Sequence, residues 1–207
     1  MSSPNGTVGR GFWLRWVIAS SVGSGAGVLL WVAVGSALEA MGMGRQGSAG
    51  AALLAGTAGA AFGIPFGAGQ WLVLRRHVEY AGRWVWASAV GYAVVFLLGN
   101  TFLPGGEAVN LDPAPQVLLG AALGAAVAVP ASLLQWLVVL RRQFPGAVWW
   151  IPASVLSWAV GFAISFALRL WLGELTFIAG PVVSIALSGL VIVRLLQRRN
   201  ALAEDIR

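Results

Sequence analysis

The chain repeats itself, and this repetition constrains its fold more than any other feature. Residues 70–76 read QWLVLRR, and residues 135–142 read QWLVVLRR. The segment RWVIASSVG at 15–23 recurs as RWVWASAVG at 83–91, and a weaker third copy, WIPASVLSW, follows at 150–158. The period is about 66 residues, so three periods span nearly all of the chain. An array of three similar units is therefore predicted.

The composition indicates the surroundings in which this array folds. Of the 207 residues, 58% are hydrophobic and only 10% are charged, whereas a soluble domain carries about 25% charged residues. Lipid is therefore the predicted solvent. Six apolar stretches are long enough to cross a hydrocarbon core, which takes about 20 residues of helix. They are residues 12–38, 51–74, 84–102, 115–140, 148–172 and 176–196.

Backbone groups inside a bilayer must bond within their own segment, so each stretch is predicted to be an α-helix. The predicted fold class is an all-α membrane protein with six transmembrane helices. One integral membrane domain covers residues 1–207 and consists of three tandem helical hairpins, at approximately 10–76, 83–142 and 148–199. The hairpins share one orientation, unlike the inverted repeats of many transporters.

The arginines orient the array. In the six-span scheme only Arg45 and Arg169 fall on one side of the membrane, and the other eleven fall on the opposite side: Arg10, Arg15, Arg75, Arg76, Arg83, Arg141, Arg142, Arg194, Arg198, Arg199 and Arg207. Cytoplasmic segments carry an excess of basic residues. Both termini are therefore predicted in the cytoplasm, with the chain a multi-pass protein of the bacterial cytoplasmic (inner) membrane. Arginines at the ends of apolar segments do not form a nucleic-acid surface, and no nucleic-acid partner is predicted.

Two glutamines are the most notable polar residues within the spans. Gln70 and Gln135 occupy matching places, each five residues after a proline, Pro65 or Pro130. A buried amide needs a hydrogen-bond partner. One interpretation is that both amides bond to neighbouring helices. The other is that they line a polar cavity that opens to the cytoplasm, with the prolines acting as hinges or as static kinks.

The doubled arginines Arg75–Arg76 and Arg141–Arg142 follow these glutamines. They either fix the topology against anionic headgroups or form a specific site for an anionic lipid or phosphate. Arg169 lies near the outer end of the fifth span. It is predicted to reach the membrane surface beside Glu174, with an external gate or anion site as the alternative.

Eight tryptophans lie near the predicted cytoplasmic interface: Trp13, Trp16, Trp71, Trp84, Trp86, Trp136, Trp149 and Trp150. Indole rings favour that depth, so a membrane-anchoring belt is predicted. The alternative is a stacking platform for a flat ligand.

Small residues recur inside the spans. Glycines spaced four apart, as at Gly59, Gly63 and Gly67, allow helices to approach closely. Ser20, Ser88 and Ser154 recur at matching places in the odd-numbered helices. They are predicted either to bond to their own helix or to line a substrate path.

Little in the chain points to catalysis. It contains no cysteine, and His77 is the sole histidine, which is too few ligands for a zinc site. No metal or other cofactor is predicted, and the chain is expected not to be an enzyme.

The QWLVLRR helix end followed by an RWVWASAVG start resembles small multi-pass bacterial membrane proteins that have no assigned function. The resemblance implies a membrane location and no activity or site residues. Two functions remain open. The first is an accessory or scaffold subunit that binds lipid, including anionic lipid at the cytoplasmic face, and a membrane-protein partner or a second copy. The second is a small transporter or substrate-binding component with a cavity lined by Gln70, Gln135 and the helix serines.

Overall fold

A computed structural model describes residues 8–43, 49–102, 112–173 and 176–205 of the protein. Arg45, Glu174 and Arg207 lie outside these ranges. Six α-helices account for most of the described residues, which contain no strand. They are α1 Arg10–Ala40, α2 Ala49–Leu74, α3 Arg83–Phe102, α4 Pro113–Gln135, α5 Trp150–Leu172 and α6 Thr176–Asp205. The prediction of an all-helical protein is confirmed.

Five of the six helices are long and apolar enough to cross a membrane: α1, α2, α4 with its continuation to Leu140, α5 and α6. The apolar part of α3, Arg83–Gly99, is shorter. At 1.5 Å per residue it rises about 26 Å, slightly less than a hydrocarbon core of about 30 Å. These lengths are compatible with a multi-pass membrane protein.

The helices form a closed ring in chain order. Each helix packs against the next one, and α1 also packs against α6. Short turns join α2 to α3 and α4 to α5, and most of the described arginines lie at or near these turns, at the start of α1 and near the end of α6. We call this the arginine end of the bundle. The last turn of α5, with Arg169, lies at the opposite end.

Glycines allow neighbouring backbones to approach closely. A Cβ atom on Gly63 of α2 would lie 2.7 Å from the carbonyl oxygen of Ser88 and 2.8 Å from the Cα atom of Ala89, both in α3. A Cβ atom on Gly91 would lie 2.5 Å from the Cα atom of Ala131 in α4. Close packing through small residues is therefore confirmed at these crossings.

The second QW motif contains a local change of helix type. After Gln135, α4 continues as a π-helical turn, Trp136–Leu140, whereas α2 remains α-helical to Leu74 through the first motif. The second motif is one valine longer than the first. A π turn accommodates one extra residue, so the additional valine explains the turn.

Three tryptophans at matching places of the odd-numbered helices lie in the bundle interior. Trp16, Trp84 and Trp150 come from α1, α3 and α5, and each is at most 3% exposed. The ring centroids of Trp16 and Trp84 are 6.2 Å apart, and those of Trp84 and Trp150 are 5.5 Å apart. The belt interpretation is wrong for these three residues, because their rings contact one another and not lipid. Trp86 and Trp149 are mostly exposed, as a belt requires.

Candidate functional site

The two glutamines are buried and bond to tryptophans of the next helix. The indole Nε1 of Trp84 donates to Oε1 of Gln70 over 2.6 Å. The indole Nε1 of Trp150 donates to Oε1 of Gln135 over 3.1 Å. The first bond joins α2 to α3, and the second joins α4 to α5. Each glutamine thus satisfies a buried N–H that would otherwise lack a partner.

Gln135 also links the two pairs. Its Nε2 donates to Oγ of Ser88 over 3.0 Å, and that hydroxyl donates to the carbonyl oxygen of Trp84 over 2.9 Å. A buried polar chain therefore runs across α3, α4 and α5. The geometry agrees with the interpretation that both amides bond between helices.

The third tryptophan lacks such a partner. Nε1 of Trp16 is buried without a hydrogen-bond partner among the described residues. The α6 residue that faces its ring is Gly189, whose Cβ, if present, would lie 3.2 Å from that nitrogen. The third hairpin carries no QW pair in the sequence, which explains the missing acceptor.

A small space lies beside the two glutamines. It has a volume of about 20 Å³ and is bordered by both amides, Tyr92 and several serines, including Ser154 and Ser188. This is room for about one water molecule. Oγ of Ser154 is buried there and has no hydrogen-bond partner within the part of the chain that the structure describes. A solute larger than water does not fit into this space as it stands.

The doubled arginines occupy different surroundings. Arg75 places its guanidinium 5.3 Å from the ring centroid of Trp71, and Arg76 lies beside His77. Arg141 and Arg142 are exposed after the π turn. Arg169 is exposed at the opposite end of the bundle, so these arginines do not form one cluster.

A groove between α1 and α2 opens at the arginine end. It has a volume of about 330 Å³. Arg15, Arg76 and His77 form its polar end, and its apolar walls are formed by Ile18, Ala19, Leu72 and Val73. A polar basin of about 560 Å³ adjoins the groove and shares Arg76 and His77 with it; Arg75, Arg199 and Glu79 also line this basin.

A second groove lies between α5 and α6 at the same end. It has a volume of about 260 Å³. Arg194 and Arg198 supply its charge, and Val191 and Leu195 form its α6 wall. The opposite wall is formed by Ala153 of α5 and by Trp149, which lies just before α5. Trp149 and Ala153 occupy the places in the sequence repeat that Arg15 and Ala19 occupy in α1.

Positive charge surrounds the sole histidine. Nη1 of Arg199 donates to the carbonyl oxygen of His77 over 2.9 Å. The pKa of His77 lies below its usual 6.5 because partial burial disfavours the charged ring, and the guanidiniums of Arg15, Arg199 and Arg76 lower it further. The carbonyl of Val73, 3.3 Å from Nδ1, acts in the opposite direction.

Sequence reasoning missed Arg15 and His77 as site residues. Arg15 was counted only among the charges that orient the chain, and His77 was considered only as a ligand for zinc. The repeated Arg–Trp pair at 15–16 and 83–84 was the available signal, because a tryptophan fixed in the interior also fixes where its arginine neighbour can reach.

No protein-family model matches the chain, and neither a curated protein nor a solved structure matches it. The described residues define an all-α-helical class of protein in which five helices are long and apolar enough to span a membrane.

Proposed function

We propose that the chain is a non-enzymatic integral membrane protein that acts as an accessory or scaffold subunit. The proposal is supported by the positions of its polar and apolar groups. The amides of Gln70 and Gln135 are used in bonds between helices, while large apolar side chains such as Leu29 and Leu118 are mostly exposed on the outside. Such a molecule offers an apolar exterior and a filled interior.

In this proposal all six helices cross the membrane as three tandem hairpins of the same orientation. The matching positions of Trp16, Trp84 and Trp150 around one centre support a common hairpin plan. The shorter α3 crosses because the bilayer thins locally at small cost and because the long side chain of Arg83 reaches the headgroups.

The arginine end faces the cytoplasm of a bacterial cell, and both termini lie on that side. The support is the concentration of guanidiniums at one end of the bundle and the tendency of basic residues to remain cytoplasmic. Five crossings instead of six would place the termini on opposite sides, so topology distinguishes the two schemes.

Reporter fusions test this arrangement. Fusions to green fluorescent protein after Arg76, after Arg142 and at the C-terminus are expected to fluoresce, because this reporter folds in the cytoplasm. Alkaline phosphatase fused near Glu107 is expected to be active, because it requires the outer compartment. If the fusions after Arg76 and at the C-terminus report opposite sides, α3 does not cross and the six-span proposal fails.

The scaffold role is tested by what accompanies the protein. Purification in mild detergent is expected to yield a stable complex, either with another membrane protein or with a second copy. The least buried of the five long helices is α1, so substitutions on its exposed face, such as Leu29→Ala, are expected to weaken the complex. A chain that purifies as a lone monomer and carries solute into proteoliposomes would instead support the transporter alternative.

A further inference from the structure

We propose that the groove between α1 and α2 binds one anionic phospholipid, with an acyl chain against its apolar walls and the phosphate beside Arg15 and Arg76. This inference rests on the proposed membrane insertion, which puts the arginine end at headgroup depth. The QW motif supplies only Arg76, and Arg15 comes from α1.

The walls of the groove match a lipid chain. Ile18 and Leu72 stand on either side of it and are 61% and 49% exposed, so the groove is open toward the surrounding bilayer. The small side chain of Ala19 also lines the groove. A lipid can therefore enter sideways from the membrane without any opening of the bundle.

The polar end of the groove matches a phosphate. Arg15 lies in α1 and Arg76 lies just after the end of α2, and both line this end of the groove. Guanidiniums bind phosphate oxygens through paired N–H donors. Arg76 and His77 also border the polar basin, where Arg75 and Arg199 add further positive charge. The one carboxylate of the basin, Glu79, belongs to an exposed residue. An acyl chain in the groove would thus place its headgroup in a space with a clear excess of positive charge.

The groove between α5 and α6 repeats the arrangement. It again joins apolar walls from two helices to two arginines at the same end of the bundle. There Trp149 stands in the place of Arg15, and both charges come from α6. Recurrence of a cationic, apolar-walled groove at matching places of two hairpins favours a common ligand type at this depth.

His77 provides a direct test, because it is the sole histidine and lies where the groove meets the polar basin. The protein would be placed in nanodiscs of phosphatidylcholine, with or without a fixed fraction of phosphatidylglycerol, and the pKa of His77 measured in each. A bound phosphate opposes the surrounding guanidiniums, so the anionic lipid is expected to raise the His77 pKa.

Two variants separate the bound lipid from the general surface potential of anionic discs. Arg15→Gln with Arg76→Gln removes the phosphate ligands, and Ile18→Trp fills the groove while keeping every charge. Both are expected to show a smaller pKa rise than the wild type. Arg83→Gln removes one charge from the same end, with its guanidinium near Tyr80 and outside the groove, and is expected to keep the full rise.

Lipid retention gives a second readout. In native mass spectrometry the wild type is expected to retain phosphatidylglycerol in preference to phosphatidylcholine. The double arginine variant is expected to lose affinity by roughly thirtyfold, from the usual contribution of each interfacial arginine.

Three results would overturn the inference: equal pKa rises in wild type and Ile18→Trp, equal lipid retention by wild type and the double arginine variant, or an equal rise produced by inorganic phosphate in phosphatidylcholine discs. The last would identify a free-anion site. Topology is measured separately, so a correctly inserted chain without lipid preference refutes this inference alone.

Discussion

Gln135 makes two hydrogen bonds in the bundle interior, to Trp150 on one side and to Ser88 on the other. An amide is suited to this place because it offers an acceptor and a donor from one planar group. Lipid offers no hydrogen-bond partner, so within a bilayer each such bond satisfies a polar group that would otherwise stay unpaired. A small number of such residues can therefore fix which helices are neighbours.

The bond between Gln135 and Trp150 is expected to show a measurable coupling energy. In a double-mutant cycle of Gln135→Leu and Trp150→Phe, the coupling should be about 0.6 kcal/mol and at most about 1.7 kcal/mol, the range found for bonds between membrane helices. Unfolding by sodium dodecyl sulfate in mixed micelles measures each free energy. The matched control pairs Gln135→Leu with Trp149→Phe, whose ring is exposed, and should be additive. If the free-energy changes were additive in both cycles, the bond between Gln135 and Trp150 would not stabilise the fold.

His77 is expected to make stability depend on pH. Its pKa in the folded protein is below 6.5, so the unfolded chain binds more protons than the folded one between that lower value and 6.5. The free energy of unfolding should therefore fall as the pH drops through 6.5 toward the folded pKa. Above pH 6.5 both states hold the neutral ring, so His77 should cause no further change in the free energy of unfolding there. His77→Gln should remove this part of the dependence. Identical pH profiles of the two proteins in zwitterionic detergent would contradict it.

Two glycines of α2, Gly63 and Gly56, lie in different surroundings. Gly63 meets the backbone of α3, so the absent side chain sets the distance between the helices. A Cβ atom on Gly56 would meet nothing within 4 Å, so that glycine imposes no such constraint. Sequence spacing identified the first position, and the structure distinguishes the two.

Alanine substitutions in α2 should therefore have opposite signs. Gly63→Ala is expected to cost about 1–3 kcal/mol, because the methyl group must displace the backbone of α3. Gly56→Ala is expected to stabilise by up to about 1 kcal/mol through helix propensity. The same unfolding assay compares them in one helix. Destabilisation of similar size at both positions would show that the crossing of α2 and α3 is looser than described.

The π turn of α4 makes a length change tolerable where it would ordinarily be harmful. Deleting Val138 leaves QWLVLRR, the motif that α2 carries as regular helix, so the extra residue and the π turn should disappear together. Stability should change by less than about 1.5 kcal/mol, as for a well-tolerated core change. Deleting Val73 from α2 should cost about 2–5 kcal/mol, because it displaces the buried Leu74. Equal losses would mean that the π turn is not set by the additional valine.

At the scale of the whole molecule, the helices were predictable because apolar length alone specifies them. The position of each tryptophan along its helix was also predictable from the sequence. The direction in which each ring points was not predictable, because these helices are apolar on all sides. Trp16 and Trp86 therefore read alike in the sequence, yet one is fully buried and the other is 71% exposed. The α1–α2 groove was missed for the same reason.

Closure of the ring is the remaining property of the whole molecule, and it depends on the contact between the first and last helices. Nε1 of Trp13 donates to the carbonyl oxygen of Ala186 over 2.8 Å, which joins α1 to α6.

The chain has no cysteine, so only introduced thiols react. A short bifunctional thiol reagent should link Trp13→Cys to Ala186→Cys in membranes. It should not link Trp13→Cys to Trp171→Cys, because α5 rises about 30 Å between the arginine end and Trp171. Mass spectrometry of the monomer band detects the link. The first pair could fail to link even though a small reagent modifies each thiol. The six helices would then form an open arc, and the buried Trp16, Trp84 and Trp150 would be exposed between α1 and α6.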